Sequence, residues 1–249
     1  NLASKEVLLE RLKEHIYTVV GRYKGRIQAW DVLNEVVEDD GSWRKSKWYQ
    51  IAGTEYIEKA FVYAHEADPD AELYYNDYNE WYPGKRDAIV KIVENLRSKG
   101  IRIDGIGMQG HWGLDYPDLK ELDEAFKAYS KTGLKVMVTE LDMDILPNPM
   151  NYTGAEISQS YELRKEFNPY PDYLPDSMHA VQSKRYADFF NIINKYKDSV
   201  SRVTFWGIHD GQSWRNHWPI RGRSAYPLLF DKDLQPKPAF NAVINTAEK

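Results

Sequence analysis

Strand-like and helix-like segments alternate along this chain, and that alternation restricts it, more than any other feature, to a parallel sheet whose strands are joined by crossover helices. Ser4 reads as the N-cap of a helix running to about Tyr23, because Val7, Leu8, Leu12, Ile16, Val19 and Val20 recur at helical spacing. Strands are expected at 26–35, 71–78, 103–111, 135–142 and 200–209. Helices are expected near 56–66, 84–99, 117–131, 179–197 and 238–247. Gly41-Ser42-Trp43-Arg44 reads as loop, and residues near 146–177 form a long, polar, proline-rich insertion.

About five βα units result. Five strands cannot close an eight-stranded barrel, yet successive strand ends carry polar or aromatic groups, as the active face of a barrel does. The opening helix has no strand before it. The expected fold is therefore α/β, a (β/α)8 TIM barrel of which residues 1–249 supply about the last five βα units as the C-terminal part of one domain. The first three units are expected on a missing N-terminal segment, a separate chain or the far side of an inserted domain. A doubly wound open sheet fits less well, since no glycine-rich phosphate loop follows any strand.

Composition removes several function classes. At 249 residues and 42% hydrophobic the chain can bury a sizeable core. Its net charge of -5, with basic residues scattered, gives no footprint for nucleic acid and no polybasic membrane patch. The absence of cysteine excludes a disulfide framework, a thiolate metal site and a cysteine nucleophile. No apolar run reaches the roughly 18 residues of a membrane span, and Asn1-Leu2-Ala3-Ser4-Lys5 opens into a helix pattern, so any export signal is expected outside these residues. Eight Trp and 18 Tyr suit stacking on flat, weakly polar faces such as sugar rings.

Two strand-like runs, Trp30-Asp31-Val32-Leu33-Asn34-Glu35 and Val138-Thr139-Glu140-Leu141-Asp142, end on carboxylates. A single glutamate is ordinarily a solvated surface residue. Glu35 and Glu140 instead end apolar strands, where burying a carboxyl costs several kcal/mol unless it has partners or a purpose. Retaining cleavage of a glycosidic bond needs such a pair, one protonated to assist the leaving oxygen and one ionised to attack the anomeric carbon.

The chain carries Trp-Asp-Val-Leu-Asn-Glu at 30–35, Tyr-Asn-Asp-Tyr-Asn at 75–79, Gln-Gly-His at 109–111, Thr-Glu-Leu-Asp at 139–142, Trp-Gly-Ile-His-Asp-Gly-Gln-Ser-Trp at 206–214 and Pro-Leu-Leu-Phe-Asp at 227–231. Together, in this order, they resemble the glycoside hydrolase family 10 endo-β-1,4-xylanases, over the whole chain but only about the last two-thirds of that family's catalytic domain. The resemblance implies Glu35 as general acid/base, Glu140 as nucleophile and Asn34 as partner of the sugar 2-hydroxyl. It implies that His111 bridges Asp142 and Glu140, orienting the nucleophile and helping to keep it ionised, with Gln109 bonding near the carboxyl pair. Trp206 and Trp214 would stack on the xylose rings, Asn76 and Tyr78 would lie toward the leaving-group side, and Asp210 and His209 would shape the rim.

The partners implied are xylan and xylo-oligosaccharides, together with the missing N-terminal segment or an inserted carbohydrate-binding domain. The location implied is secreted, periplasmic or cell-surface. No cofactor and no catalytic metal are expected, since no His-Glu-x-x-His or equivalent spacing occurs. The motifs that grip two sugars on the non-reducing side are absent from these residues. A sugar-binding fragment without turnover, and a barrel glycosidase acting on another β-1,4-glycan, are the competing readings. Asn151-Tyr152-Thr153 matches a glycosylation acceptor, but three residues weigh little and an ordinary loop is favoured.

Overall fold

A computed structural model describes residues 3–149 and 160–247. The Asn151-Tyr152-Thr153 motif lies outside the described residues. Seven α-helices and six strands are described: α1 Lys5–Arg22, β1 Ala29–Asn34, α2 Lys47–Ala52, α3 Glu55–Ala67, β2 Glu72–Asp77, α4 Pro83–Ser98 and β3 Gly105–Met108, followed by β4 His111–Gly113, α5 Leu119–Ser130, β5 Lys135–Asp144, α6 Asp176–Lys195, β6 Val200–Phe205 and α7 Pro238–Ala247. The sheet order is β1-β2-β3-β5-β4, with β6 also on β5. Helix and strand alternate as expected of the α/β class.

The contacts divide the chain into two compact units, 1–108 with 127–137, and 109–126 with 138–249. In the first unit, β1, β2 and β3 pair in parallel, placing Asn34 opposite Asn76 and Asp77 opposite Met108. β2 and β3 are almost wholly buried, with Leu73, Tyr74, Tyr75 and Ile106 fully so. In the second unit, β4 pairs in parallel with β5, setting His111 opposite Asp142. Its core gathers Trp112, Phe126 and Phe189, with Trp112 edge-on to both phenylalanines.

Local chemistry sets the helix starts. The Ser4 side chain accepts from the Val7 N–H at 3.3 Å, and Leu12, Ile16 and Val20 form the buried stripe of α1. Pro83 begins α4, where its missing N–H costs nothing.

Three expectations are corrected. The strand expected at 103–111 is two strands, because Gly110 takes a positive φ of 79° and breaks the ladder. The strand expected to be buried over 26–35 has no buried residue in Ala29–Asn34, with Asp31 and Asn34 exposed and the rest intermediate, since β1 has a described neighbour, β2, on one side only. α2 was not expected at all. Ser46 caps it, accepting from the Tyr49 N–H at 3.2 Å, and six residues are too few to show a helical period.

Candidate active site

Glu35 stands one residue beyond β1, in the left-handed region at φ 57°. That conformation is uncommon for a residue with a Cβ and persists only where neighbours fix it. Here the Glu35 N–H donates to the Asn76 carbonyl at 3.0 Å and the Val36 N–H to the Tyr75 hydroxyl at 3.2 Å. The Arg44 N–H closes the loop on the Val36 carbonyl at 2.9 Å. The turn swings the Glu35 side chain onto Arg44, whose Nη1 donates to Oε2 at 2.9 Å.

Around this carboxyl the first unit forms a polar cluster. Arg44 Nη2 donates to the Tyr78 hydroxyl at 2.6 Å, and Arg44 Nε lies 3.7 Å from Glu38. Asn76 Nδ2 donates to Asn34 Oδ1 at 3.0 Å, which fixes the orientation of both amides. Lys85 is fully buried, with Nζ 3.1 Å from Asp77, 3.0 Å from Asp39 and 4.0 Å from the centre of the Tyr78 ring. Burial pushes the Asp77 carboxyl up to about 6, against the opposing pull of Lys85. Asn34, Glu35 and Arg44 line a cleft of about 350 Å³ with Leu12, Leu33 and Trp48.

In the second unit Glu140 lies on β5, its N–H donating to the Gln109 carbonyl at 2.8 Å. His111 Nε2 is 3.4 Å from Glu140 Oε2, and Nδ1 is 3.0 Å from Asp142 Oδ1. The bridge follows from the sheet, because His111 and Asp142 are register partners across β4 and β5. Burial disfavours charge on this imidazole, but Asp142 and Glu140 outweigh it and raise His111 to about 9. Asp142 moves the other way, to about 2, because Arg215 and His111 overcome its own burial.

Trp214 sits at 5.0 Å from the His111 ring, donates Nε1 to Asp142 Oδ2 at 2.6 Å and stacks on Trp218 at 4.8 Å. Trp206 follows β6, its N–H donating to the Leu141 carbonyl at 3.0 Å while its side chain stays about half exposed. Gln109 is buried beside Glu140. Asp210 is buried elsewhere in this unit, its oxygens taken by the Leu228 N–H at 2.8 Å and Lys237 at 2.9 Å.

Two residues central to these clusters gave no signal in the sequence. Arg44 falls in a segment read as loop. Arg215 is fully buried and bonds Asp142 through Nε at 3.0 Å and Nη2 at 2.8 Å, with Nη1 on Asp144 at 3.2 Å. Among the described residues, no three His, Cys, Asp or Glu are grouped to hold a metal ion, and no helix is long and apolar enough to cross a membrane.

The family model described as Glycosyl hydrolase family 10 matches residues 1–246. The chain belongs to glycosyl hydrolase family 10. It is 47% identical over 98% of its length to endo-1,4-beta-xylanase A of Xylanibacter ruminicola and covers 66% of that protein. It is 45% identical, over 98% of its length and 70% of the relative, to an endo-1,4-beta-xylanase of Geobacillus stearothermophilus. A solved GH10 endoxylanase from a sugarcane soil metagenome superposes on it with a TM-score of 0.95 at 48% identity, over 98% of this chain and 70% of that one. The α/β barrel expected from the sequence is thus the family's fold. The chain spans roughly two thirds of the length of these family 10 relatives.

Proposed function

We propose that this chain carries the catalytic carboxylates of a retaining endo-1,4-β-xylanase. The observation that carries the reading is the His111 bridge, with one ring nitrogen 3.4 Å from Glu140 and the other 3.0 Å from Asp142. A nucleophilic carboxylate must be correctly turned, and an imidazole hydrogen-bonded on its far side to a buried aspartate holds it so. Membership of glycosyl hydrolase family 10 and the xylanase names of its relatives supply the substrate class.

In the first half-reaction the Glu140 carboxylate attacks the anomeric carbon of a xylose unit while Glu35 gives its proton to the departing glycosidic oxygen. The C–O bond breaks and a glycosyl ester on Glu140 forms. Glu35, now ionised, then takes a proton from water as that water attacks the same carbon, and Glu140 leaves as carboxylate. Asn34, whose Oδ1 accepts from Asn76 and so holds the amide in place, serves the sugar 2-hydroxyl. Trp206 and Trp214 stack on xylose rings, and Gln109, Asn76 and Tyr78 shape the subsites, whereas Asp210, expected at the rim, is instead committed to the Leu228 N–H and Lys237. The step needs no cofactor.

The half-exposed strands β1 and β6 suit docking against the early barrel units, supplied by an N-terminal segment or beyond an inserted carbohydrate-binding domain. A polymer such as xylan is met outside the membrane, so the enzyme acts secreted, in the periplasm or at the cell surface.

The deciding experiment uses a 2-fluoro-xylobioside with an activated leaving group. The intact protein should gain one glycosyl mass on the peptide carrying Glu140, and xylo-oligomers should be released with the β-configuration retained in proton NMR. Binding of xylo-oligomers without labelling would instead mark a binding fragment. Faster turnover of cellulose than of xylan would move the enzyme to another β-1,4-glycan.

A further inference from the structure

We infer that Arg44 is a positioning residue for the acid/base, holding Glu35 through one oxygen so that the transferred proton is carried on the other. The inference rests on the proposed role of Glu35 and adds to it the residue that aims its proton.

The argument begins with the donor inventory. A guanidinium has five N–H donors and no acceptor. Its Nη1 lies 2.9 Å from Glu35 Oε2, and a carboxyl oxygen accepts an N–H better as the carbonyl oxygen than as the hydroxyl. When Glu35 is protonated, the hydrogen is therefore favoured on Oε1, which leaves Oε2 as the carbonyl oxygen that accepts from Arg44. When Glu35 is ionised after the first half-reaction, the same contact becomes a charge-assisted bond and keeps the carboxylate turned as before. A single contact thus serves both protonation states without rotation of the carboxyl group.

Arg44 can do this because it is itself held. Its Nη2 donates to the Tyr78 hydroxyl at 2.6 Å, and the Tyr78 ring in turn carries buried Lys85 on its face at 4.0 Å. Lys85 also bonds the Tyr78 carbonyl at 3.0 Å and Asp77 at 3.1 Å. Asp77 accepts from the Tyr75 hydroxyl, which receives the Val36 N–H, the amide directly after Glu35. The contacts form a closed circuit that grips Glu35 at its carboxylate through Arg44 and at its backbone through Tyr75. A left-handed residue with a Cβ, here at φ 57°, needs such support.

The test compares substrates by leaving group. In the intact protein, kcat/KM is measured for Arg44→Met, Arg44→Lys and Tyr78→Phe on phenyl β-xylobioside and on 2,4-dinitrophenyl β-xylobioside. The first leaving group needs protonation and the second does not. Proton delivery contributes about 10²–10⁴-fold, so Arg44→Met should lose at least ~10-fold more on the phenyl than on the dinitrophenyl substrate. Arg44→Lys, which keeps a donor-only cation, should recover part of that difference, and Tyr78→Phe should show the same split at smaller size.

Equal losses on both substrates, or no loss on either, overturn the inference, because a merely structural residue affects both alike. If Arg44→Met fails to fold, Tyr78→Phe decides by the same criterion. Glu35→Ala is run alongside. If it shows no leaving-group split, the acid/base assignment itself fails. If it shows one and the Arg44 variants do not, only the positioning role is lost.

Discussion

His111 and Asp142 face each other across the parallel ladder of β4 and β5, with Nδ1 3.0 Å from Oδ1. The pairing fixes the imidazole so that its other nitrogen points at Glu140, 3.4 Å away. Sheet register, rather than loop conformation, therefore sets the orientation of the Glu140 side chain's histidine partner, and a register is hard to slip when Trp112, Leu141 and Met143 beside it are buried.

The same contact makes stability depend on pH. His111 is raised to about 9 from 6.5, so the folded state holds its proton more tightly than the unfolded chain. The stabilisation is fully present below about pH 6.5 and is lost as pH rises through 9. His111→Asn lacks it. The gap in melting temperature between wild type and this variant should be widest near pH 6 and narrow steadily to pH 9.5; a gap independent of pH would show that the imidazolium is not what stabilises.

Arg215 holds Asp142 in its ionised form through Oδ1, the oxygen that His111 also engages, and bonds Asp144 as well, in a fully buried setting. Removing one partner of a buried pair leaves the other charge uncompensated, so Arg215→Met should cost about 3–5 kcal/mol in urea unfolding at neutral pH. Asp142 sits at about 2, below its usual 3.8, so its stabilisation is present above pH 3.8 and is lost as pH falls through 2. Without Arg215 its burial is less opposed and its pKa rises. The variant should therefore begin acid unfolding at higher pH than wild type, and an unchanged acid limb would count against Arg215 as the residue that keeps Asp142 charged.

Loss of either glutamate should separate the two half-reactions. Glu140→Ala removes the proposed attacking group and should reduce xylan turnover by at least ~10⁴-fold, with folding preserved by circular dichroism. Azide should then restore turnover of a dinitrophenyl xylobioside and give a product of inverted configuration, because the small anion fills the vacated position. Product of retained configuration would mean that another residue is the nucleophile.

Much of this was legible in the sequence because it is carried by period and by strand ends. Val136, Met137 and Val138 read as a buried strand and are one, so Glu140 and Asp142 fall where a strand delivers them. Asn34 falls at the end of β1 for the same reason. What stayed hidden depends on tertiary placement. Arginine in a polar stretch reads as solvated, and only the fold places Arg215 under Asp142 or Arg44 against Glu35. The left-handed turn at Glu35 is equally invisible, since the residue that adopts it is neither glycine nor asparagine. α2 is hidden by its shortness, and the half-exposure of β1 by the fact that burial belongs to the neighbours and not to the strand.

Gly110 joins these levels, and its replacement should expose the dependence of the histidine bridge on backbone shape. Its φ of 79° breaks the strand expected at 103–111 and lets His111 re-enter the sheet opposite Asp142, while its carbonyl accepts the Asp142 N–H at 3.2 Å. An added Cβ would stand 2.8 Å from Val138 Cγ1 and 3.4 Å from the Leu141 backbone. Gly110→Ala is therefore strained by its dihedral and crowded at the same time, a combination worth about 1–3 kcal/mol. If the variant relaxes by moving the backbone, His111 is carried off Glu140, and kcat should fall with KM little changed. The loss should appear on activated and unactivated xylobiosides alike, because attack by Glu140 is needed for both. A Gly110→Ala protein that is destabilised yet turns over at the wild-type rate would show that the bridge tolerates displacement of its supporting turn.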